Sequence, residues 1–577
     1  MSIKSIVANA LIEDASSVWL LKGHGEFDYS DGTASEKYLE KVFLTATDLS
    51  SRSSELESYI RDWPSEYHLT SKRAQLLSGF TFDRTMKVLE VGCGCGAITR
   101  HLGESFDQVV SIEGSLNRAR LARLRTRDLP SVSVVCAPFQ KIEFSQKFDI
   151  IFVIGVYEYS ASFVDGDEPY DAVLKYFSTI LAPDGVVVIA IENQFGLKYF
   201  SGAREDHLGA KFEGIEGYRR RRMKVRTFGK DELENNIKRY FPDVRFFYPY
   251  PDYKLPDCVL SADFLASERA GEVVSQMKSR DYSAPLQPLW DEAVTVLELA
   301  RNRMLAFFSN SFLVFASRSN LRGVEFDQLA VMYSSGRKST FATETKIVKD
   351  TAGRWSVSKR SRQGVDIVDG GAIRLVNTDA PWISTQSLQT QVALCARSND
   401  ASLEEIFAPC RKWVELLIDE SSMRNGVRHV EGSHIDSIWS NVYPDAAGLQ
   451  IVDREWIYHR DIPLNIIVIR AIYDFMLRVE QTSSLGQALR VRSGRTTVEN
   501  IANAIGVKLA PDDFNDFIKL ESEIQWIISG IGERRQRAHA RWFLADRPTL
   551  RLFQRSRRRA MSIASRVLAR IARAADR

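Results

Sequence analysis

The stretch Val88–Leu102 constrains the fold of this 577-residue chain more than any other, because three glycines alternate with other residues inside one turn. The apolar run Val88–Val91 before them predicts a buried strand, and Ala97–Leu102 after them predicts the start of a helix. Alternate glycines permit a sharp bend and let a ligand lie against bare backbone. The helix start adds unpaired N–H groups. This arrangement favours a nucleotide-like cofactor over a turn that binds nothing.

Two acidic residues bear on which cofactor the turn binds. Gly92-x-Gly94-x-x-Ala97 also satisfies the dinucleotide fingerprint, so a dinucleotide is the alternative. Glu90 opposes that alternative, because its carboxylate would face a pyrophosphate, whereas it suits a ligand that carries an ammonium and a sulfonium. Glu113 can accept hydrogen bonds from the ribose hydroxyls of either cofactor. The order Glu-x-Gly-x-Gly-x-Gly, with an acid ending the next strand, resembles class I S-adenosylmethionine (SAM) methyltransferases.

Alternating strands and helices after residue 86 predict an α/β fold with a Rossmann-like, doubly wound and mostly parallel sheet. Ligands of such sheets bind beyond the carboxyl ends of the strands. Phe139 is expected to pack against the adenine of the cofactor. Beside Glu90 and Glu113, we expect the cofactor site to include the residues that follow the strands, namely Gly92, Cys93, Gly94, Gly96, Gly114, Pro138, Phe139 and Gly155.

Longer motifs within residues 36–262 resemble a bacterial methyltransferase family that is associated with lipopolysaccharide or capsule assembly. These motifs are D-W-P-S-E-Y-H-L, G-C-G-C-G-A-I-T-R-H-L-G-E, I-G-V-Y-E-Y, E-N-Q-F-G-L-K-Y-F-S-G, G-I-E-G-Y, R-T-F-G-K-D-E-L and Y-P-Y-P-D-Y-K-L-P. The resemblance implies SAM-dependent methylation of a surface polysaccharide or its lipid-linked precursor, and therefore a glycan or glycolipid acceptor. It does not identify that acceptor.

Two further features bear on the same site. Tyr67 and His68 of the first motif either close over the cofactor or pack the N-terminal leader onto the sheet. A long insertion, Glu192–Arg226, follows the fifth strand, and long loops in compact domains often carry function. In that insertion His207 is a candidate general base for a sugar hydroxyl. The run Arg219–Arg222 either faces an anionic acceptor or forms a solvated basic loop.

A second constellation begins near residue 325, where three β-segments are predicted. Lys359 lies on the third segment, and H-I-D-S-I-W-S-N and L-Q-I-V-D follow later in the chain. The order resembles small-molecule kinases of the aminoglycoside and choline kinase type. The resemblance implies that Lys359 holds the phosphates of Mg-ATP, that Asp436 orients an acceptor hydroxyl, and that Asn441 and Asp453 bind magnesium.

The kinase-like pattern also departs from that family. Its phosphate loop has a single glycine, Gly336, and no glutamate stands in the predicted helix over 381–396 as an ion-pair partner for Lys359. Asp453-Arg-Glu replaces Asp-Phe-Gly. An active kinase and a pseudokinase scaffold both remain open. A methyltransferase followed by a kinase is similar to the bifunctional enzymes that terminate O-antigen chains.

These patterns divide the chain into five predicted segments, with an α+β kinase-like domain and a helical basic tail after the α/β domain. The segments are a helical leader or cap at 1–80, a SAM-binding domain at 81–262, a helical connector at 263–320, a kinase-like domain at 321–500 and an arginine-rich tail at 501–577.

The tail differs from the rest of the chain in charge. Residues 531–577 contain 14 arginines and three acids, whereas the whole chain has a net charge of only +3. After Arg558 the apolar residues fall on one helical face and the arginines mostly on another. Such a basic amphipathic helix predicts docking either to an anionic inner-membrane surface or to a partner such as a glycosyltransferase. The alternative is a solvated terminal helix or a disordered basic end.

The remaining composition narrows the class of protein. No apolar run approaches the roughly 20 residues that span a membrane, and the first residues do not form a signal peptide. We therefore expect a cytoplasmic protein, peripheral at the inner membrane, with reduced cysteines. The absence of an Asn/Asp-Pro-Pro-Tyr motif after the fourth strand argues against nucleic acid as acceptor. A non-catalytic scaffold of glycan assembly is the alternative to an enzyme.

Overall fold

The computed structural model describes residues 3–22, 32–218, 224–286, 289–319, 321, 323–325, 328–334, 336–362, 364–396, 401–446, 448–478, 494–530 and 532–544. The chain divides into two compact units. The first comprises residues 1–366 and 377–384, and the second comprises residues 367–376 and 385–577.

The strands are numbered in chain order. They are β1 (Leu11–Glu13), β2 (Trp19–Leu21), β3 (Thr81–Phe82), β4 (Lys87–Val91), β5 (Gln108–Glu113), β6 (Val132–Cys136), β7 (Phe148–Ile154), β8 (Leu181–Glu192), β9 (Asp243–Tyr250), β10 (Cys258–Ser261), β11 (Ser311–Ser317), β12 (Val324–Glu325), β13 (Gln328–Tyr333), β14 (Thr343–Lys349), β15 (Trp355–Ser361), β16 (Ile367–Asp369), β17 (Ile373–Val376), β18 (Ala380–Pro381), β19 (Ser422–Arg424), β20 (Val427–Val430), β21 (Val442–Asp445), β22 (Gly448–Ile451), β23 (Trp456–Tyr458) and β24 (Ile462–Pro463).

The α-helices are numbered in the same way. They are α1 (Thr33–Thr45), α2 (Ser54–Ser58), α3 (Trp63–Leu69), α4 (Lys72–Gln75), α5 (Ala97–Ser105), α6 (Leu116–Arg125), α7 (Ser160–Phe163), α8 (Pro169–Ile180), α9 (Leu197–Phe200), α10 (Lys230–Lys238), α11 (Ala262–Leu265), α12 (Ala270–Ser275), α13 (Glu292–Arg301), α14 (Leu305–Phe308), α15 (Leu388–Cys395), α16 (Leu403–Ile406), α17 (Ala408–Asp419), α18 (Leu464–Arg478), α19 (Gly494–Ala504), α20 (Pro511–Ser529) and α21 (Glu533–Leu544).

The first unit is built on a 14-stranded mixed sheet. Its centre is parallel, in the order β6-β5-β4-β7-β8, and β11 then lies antiparallel between β8 and β9. Successive residues of a strand point to opposite faces, so Leu89 packs in one core and Val88 in the other. Helices α5 and α6 cover one face, while α8 and α10 cover the other. This arrangement confirms the predicted Rossmann-like α/β fold, but the prediction of a mostly parallel sheet is wrong for the sheet as a whole, because most of the strand pairs outside its parallel centre are antiparallel.

The sheet extends beyond the predicted boundaries on both edges. At one edge β2 pairs parallel with β6, so the predicted helical leader at 1–80 also contributes strands. At the other edge β13 pairs antiparallel with β10, with Val331 opposite Val259, and β14 and β15 follow. The boundaries predicted at 262 and 320 are therefore corrected. The described residues of the connector at 263–320 contain four helices as well as the central strand β11, and β13, β14, β15 and β18 extend this sheet through backbone hydrogen bonds.

The second unit is mainly helical and has three small sheets, β16-β17-β23, β19-β20-β24 and β21-β22. Its core contains the fully buried rings of Trp413 and Trp439, whose centroids lie 5.9 Å apart. The predicted tail begins as helix in α19, α20 and α21, but its basic residues 548–577 lie outside the described residues. None of the described helices combines the length and the apolar composition needed to cross a membrane.

Candidate active site

The glycine turn connects β4 to α5 and is held in a conformation that favours glycine. Gly92, Gly94 and Gly96 have φ values of 77°, 56° and 86°, in the left-handed region that side chains disfavour. A Cβ on Gly96 would lie 2.8 Å from the Cα of Ala122 in α6. The turn therefore needs glycine for its backbone shape and, at Gly96, for contact with the neighbouring helix.

Glu113 fixes the other side of the turn. Parallel pairing places Val91 opposite Ile112, so β4 and β5 end at the same edge of the sheet. The backbone N–H of Gly94 donates to Glu113 Oε2 over 2.7 Å, and the N–H of Ser115 donates to Oε1 over 3.1 Å. A carboxylate offers about four lone-pair positions, so Glu113 retains acceptor capacity toward a ligand.

Glu90 is a buried acid beneath the turn. The hydroxyl of Ser111 donates to Glu90 Oε2 over 2.7 Å. Burial nevertheless raises the pKa of Glu90 to about 7, because water no longer stabilises the charged form. A nearby cation would favour the ionised carboxylate and lower this pKa again. The site therefore suits a positively charged ligand.

A cavity of about 550 Å³ lies at the carboxyl ends of β4, β5 and β7. This is the switch point of the strand order, where α/β sheets bind their ligands. Its lining includes eleven of the residues expected to contact a cofactor, Tyr67, His68, Glu90, Gly92, Cys93, Gly94, Glu113, Gly114, Pro138, Phe139 and Gly155. Tyr67 and His68 belong to α3, so the leader contributes directly to this cavity.

A polar cluster lines the far side of the same cavity. Glu158 follows β7, Glu192 ends β8, and His207 lies in the insertion. His207 Nε2 lies 3.4 Å from Glu192 Oε2, and His207 Nδ1 lies 2.8 Å from the hydroxyl of Tyr159. Lys254, which follows β9, forms ion pairs with Glu192 and, over 2.6 Å, with Asp206. Four distant parts of the chain thus meet at this end.

The acids of this cluster differ in their preferred charge. Burial raises the pKa of Glu158 to about 8. Burial also opposes ionisation of Glu192, but the adjacent Lys254 ammonium and the His207 ring hold the pKa of Glu192 well below its usual range. For His207, burial favours the neutral ring, yet Glu192, Glu158 and Glu205 raise its pKa to about 9. An imidazole with this pKa keeps its proton at neutral pH, which opposes the predicted role of His207 as a general base; that role stays a prediction.

Comparison with known proteins bears on the region around the glycine turn. Residues 89–189 match the family model described as "Methyltransferase domain". This segment contains the parallel centre of the sheet, the glycine turn and Glu113.

Residues 89–189 form a methyltransferase domain.

Relatives of the methyltransferase domain cover only part of this chain. An uncharacterized methyltransferase of Alkaliphilus oremlandii (strain OhILAs) is 33% identical over 102 residues, which make up 18% of this chain and 44% of that protein. The chain therefore spans less than half the length of this curated relative.

Two solved structures are also similar to the chain. The N-methyltransferase NodS of Bradyrhizobium japonicum WM9, in complex with S-adenosyl-L-homocysteine, is 19% identical, with 28% of this chain and 74% of that chain covered and a TM-score of 0.20. Phosphoethanolamine N-methyltransferase 2 of Haemonchus contortus is 15% identical, with 50% and 62% covered and a TM-score of 0.27.

Within the methyltransferase domain, Gly96 differs from the other predicted cofactor residues. It lies against Ala122 and is not part of the cavity lining. Glu158, Glu192 and Lys254 were not among the predicted site residues, although each lines the cavity or pairs with a residue that does. The sequence does place the two acids at the ends of the fourth and fifth parallel strands, where ligands bind, but nothing in it distinguishes them from the other residues of that edge.

The residues of the predicted kinase site belong to different units. Lys359 lies on β15 of the first unit, whereas Asp436, Asn441 and Asp453 lie in the second. In the second unit the Asn441 amide donates to the backbone oxygen of Asp436 over 2.9 Å, and Arg470 donates to Asp436 Oδ1 over 2.7 Å. Asp453 has a φ of 60°. The run Arg219–Arg222 lies outside the described residues.

Proposed function

We propose that this protein is a SAM-dependent methyltransferase that modifies a bacterial surface polysaccharide or its lipid-linked precursor. The observation that carries the proposal is the composition of one cavity. At one end it is lined by the glycine turn and Glu113, and at the other by Glu158 and His207. A cofactor and a polar acceptor would therefore meet in a single cavity, as methyl transfer requires.

The cofactor end fits SAM through residues of the methyltransferase domain. Glu113 would accept hydrogen bonds from the two ribose hydroxyls while it keeps its bond from Gly94. Glu90, buried and poorly compensated by the Ser111 hydroxyl, would stabilise the positive charge of the cofactor. Phe139 would pack against the adenine, as predicted. Bound SAM supplies a methyl group that is activated by the adjacent sulfonium.

The reaction would be an in-line displacement, in which an acceptor oxygen attacks the methyl carbon opposite the sulfur. The protein's main contribution is to hold the two reactants in that geometry. A phosphate acceptor is already deprotonated and needs no base, whereas a sugar hydroxyl must lose a proton. The Tyr159–His207–Glu192 hydrogen-bond chain would supply the polar contacts for either group.

The choice of a glycan acceptor rests on the motif resemblance within residues 36–262 and on the polarity of the far end of the cavity. Lys254, His207 and Glu158 together offer donors and acceptors that suit a phosphate or a polyhydroxyl compound better than an apolar one. The test is mass spectrometry of the surface glycan from cells with and without the gene. A mass difference of one methyl group, or of methyl plus phosphate, supports the proposal; identical glycans contradict it.

Phosphoryl transfer by the second unit is a second candidate function. The specific observation in its favour is the bond between the Asn441 amide and Asp436, which brings together two of the predicted kinase residues. The ion pair of Asp436 with Arg470 favours the pseudokinase alternative, because it engages the carboxylate that would orient an acceptor. Magnesium and ATP would be the added ligands of an active kinase.

Membrane or partner docking is proposed for the basic tail, residues 548–577. A lipid-linked acceptor lies at the inner membrane, so an arginine-rich amphipathic end would raise the encounter rate with substrate. Deleting residues 548–577 should move the protein from the membrane pellet to the supernatant and leave its SAM affinity unchanged. A full-length protein that does not bind anionic vesicles at low salt would contradict membrane docking.

A further inference from the structure

The carboxylates of Glu158 and Glu192 and the ring of His207 converge at the far end of the cavity, and we call these three residues the Glu158–Glu192–His207 cluster. One oxygen or nitrogen from each lies within 4.8 Å of the other two. Each comes from a different element, so the convergence is produced by the fold and not by a local turn. Among the described residues, it is the one group of three or more acid, histidine or cysteine side chains with this proximity.

Glu158 is the member of the cluster that lacks a partner. Its side chain has no exposed surface, and neither carboxyl oxygen has a hydrogen-bond partner among the residues that the structure describes. Buried carboxyl groups are normally hydrogen-bonded or paired, because an unsatisfied one costs several kcal/mol. Glu158 also lines the cavity. A ligand that enters the cavity can therefore satisfy it.

The cluster offers the ligand set of a divalent cation. Two carboxylates and one imidazole suit ions of the manganese or zinc class better than calcium, which prefers oxygen alone. The hydroxyl of Tyr159 forms a hydrogen bond of 2.8 Å with His207 Nδ1, so that the other ring nitrogen, Nε2, faces Glu192. Such an outer hydrogen bond fixes the orientation of a metal-binding histidine.

The surrounding charges accommodate a cation. Lys254 contacts Glu192 Oε1, whereas Glu192 Oε2 lies 3.4 Å from His207 Nε2, and a cation bound by these two atoms would replace that contact. Asp206 Oδ2 accepts hydrogen bonds from the ammonium groups of Lys198 and Lys254, over 2.8 Å and 2.6 Å, and thereby offsets part of their positive charge. Glu205 adds a further carboxylate beside the backbone of His207. Acids thus outnumber bases around the cluster.

We propose that the Glu158–Glu192–His207 cluster binds one divalent cation of the Mn²⁺ or Zn²⁺ class. The cation would hold an oxygen of the methyl acceptor beside the cofactor and lower the pKa of that oxygen. The cation site follows from the cluster alone, while its task in catalysis rests on the proposed methyltransferase function. His207 then acts as a ligand through Nε2, whose proton is released to the solvent when the cation binds, and not as the general base.

The test measures binding of Mn²⁺ to the untagged full-length protein by electron paramagnetic resonance. Calorimetric titration with Zn²⁺ repeats the measurement with the second ion. We expect one site in the wild type. Glu158→Gln keeps the shape of the side chain but removes its ability to ionise, and should lower affinity by at least the roughly 10–100-fold that loss of an outer hydrogen-bond partner costs. His207→Asn should do the same. Glu168→Gln, an exposed acid of the same unit, should bind Mn²⁺ as the wild type does.

The outcomes separate the cation site from the proposed function. A wild-type protein that binds SAM but neither Mn²⁺ nor Zn²⁺ at millimolar concentration would overturn the cation site alone. Equal Mn²⁺ affinity in the wild type, Glu158→Gln and His207→Asn would also overturn it, since binding would then lie elsewhere. A protein that binds Mn²⁺ through the cluster but shows no SAM binding would support the cation site and contradict the proposed function.

Discussion

The backbone N–H of Gly94 donates a hydrogen bond of 2.7 Å to the carboxylate of Glu113, so the acid that ends β5 holds the glycine turn that follows β4. The bond links the two parts of the cofactor site, because the residue proposed to bind the ribose also fixes the backbone proposed to lie beneath the cofactor. A change at Glu113 should therefore affect binding through both contacts.

Glu113→Gln should weaken SAM binding by about 1.5–3 kcal/mol, the range for a hydrogen bond to a charged group, which corresponds to roughly 10–100-fold in the dissociation constant. The amide keeps the size of the side chain but loses the charge and one acceptor. Calorimetric titration with SAM measures the effect. Asp107→Asn, which removes an exposed carboxylate paired with Arg84, serves as control and should bind normally. Equal affinities for Glu113→Gln and wild type would show that Glu113 does not contact the ribose.

Gly96→Ala should destabilise the protein more than Gly353→Ala. The two glycines have similar φ values, 86° and 81°, so the backbone strain of about 1–2 kcal/mol is shared. Only at Gly96 does the added Cβ collide with backbone, 2.8 Å from the Cα of Ala122, whereas at Gly353 it meets a lysine side chain at 3.8 Å. Overpacking adds about 1–3 kcal/mol at the first site. Urea denaturation measures the free energy of unfolding of the two variants. An equal loss in both would mean that α6 shifts away from the added Cβ at Gly96 without an energetic cost.

SAM affinity should rise with pH between about 6 and 7.5 because of Glu90. Burial raises the pKa of Glu90 to about 7, so below neutrality the carboxyl is largely protonated in the free protein. A cationic ligand binds the ionised form better, and binding therefore releases a proton and strengthens as that proton is lost. Glu90→Gln should bind more weakly at the upper end of this range and show a flatter profile. If the SAM affinity of the wild type depended on pH as little as that of Glu90→Gln, the positive charge of the cofactor would not lie near Glu90.

The parallel centre of the sheet and the glycine turn could be predicted from the sequence because their signals are local. A buried strand such as β4 is a continuous apolar run, and the turn after it is marked by glycines at fixed spacing. The ligand-binding edge follows from the rule that parallel strands end on the same side. These parts of the prediction needed no information from distant residues.

The extension of the sheet could not be predicted in this way. β11 pairs with β8 across more than a hundred residues, and β13 pairs with β10, with no sequence pattern to mark either partner. The apolar run at residues 312–316 predicts a short strand or buried segment but not its pairing partner, and it therefore falls within the predicted connector. The contacts of Glu158, Glu192 and His207 are likewise made by the fold, so no motif contains all three.

Asp436→Ala and Asp453→Ala should leave methyl transfer from SAM to a preformed acceptor unchanged and abolish any ATP-dependent step. Both residues belong to the second unit, whereas the cavity proposed for SAM belongs to the first. Incorporation of labelled methyl and of labelled phosphate into the same acceptor distinguishes the two activities. If the wild type neither binds Mg-ATP nor transfers phosphate, the second unit is a pseudokinase.

Whether the cavity at the glycine turn binds SAM is measured by calorimetric titration of the full-length protein, with Gly94→Arg as the matched variant. Gly94 has a φ of 56° and lines the cavity, and an added Cβ would lie 2.9 Å from the guanidinium of Arg118. We predict micromolar binding at one site in the wild type and no detectable binding in Gly94→Arg, provided that circular dichroism shows both to be folded. A wild type that binds no SAM, or a folded Gly94→Arg that binds it equally well, would contradict the assignment of this cavity to the cofactor.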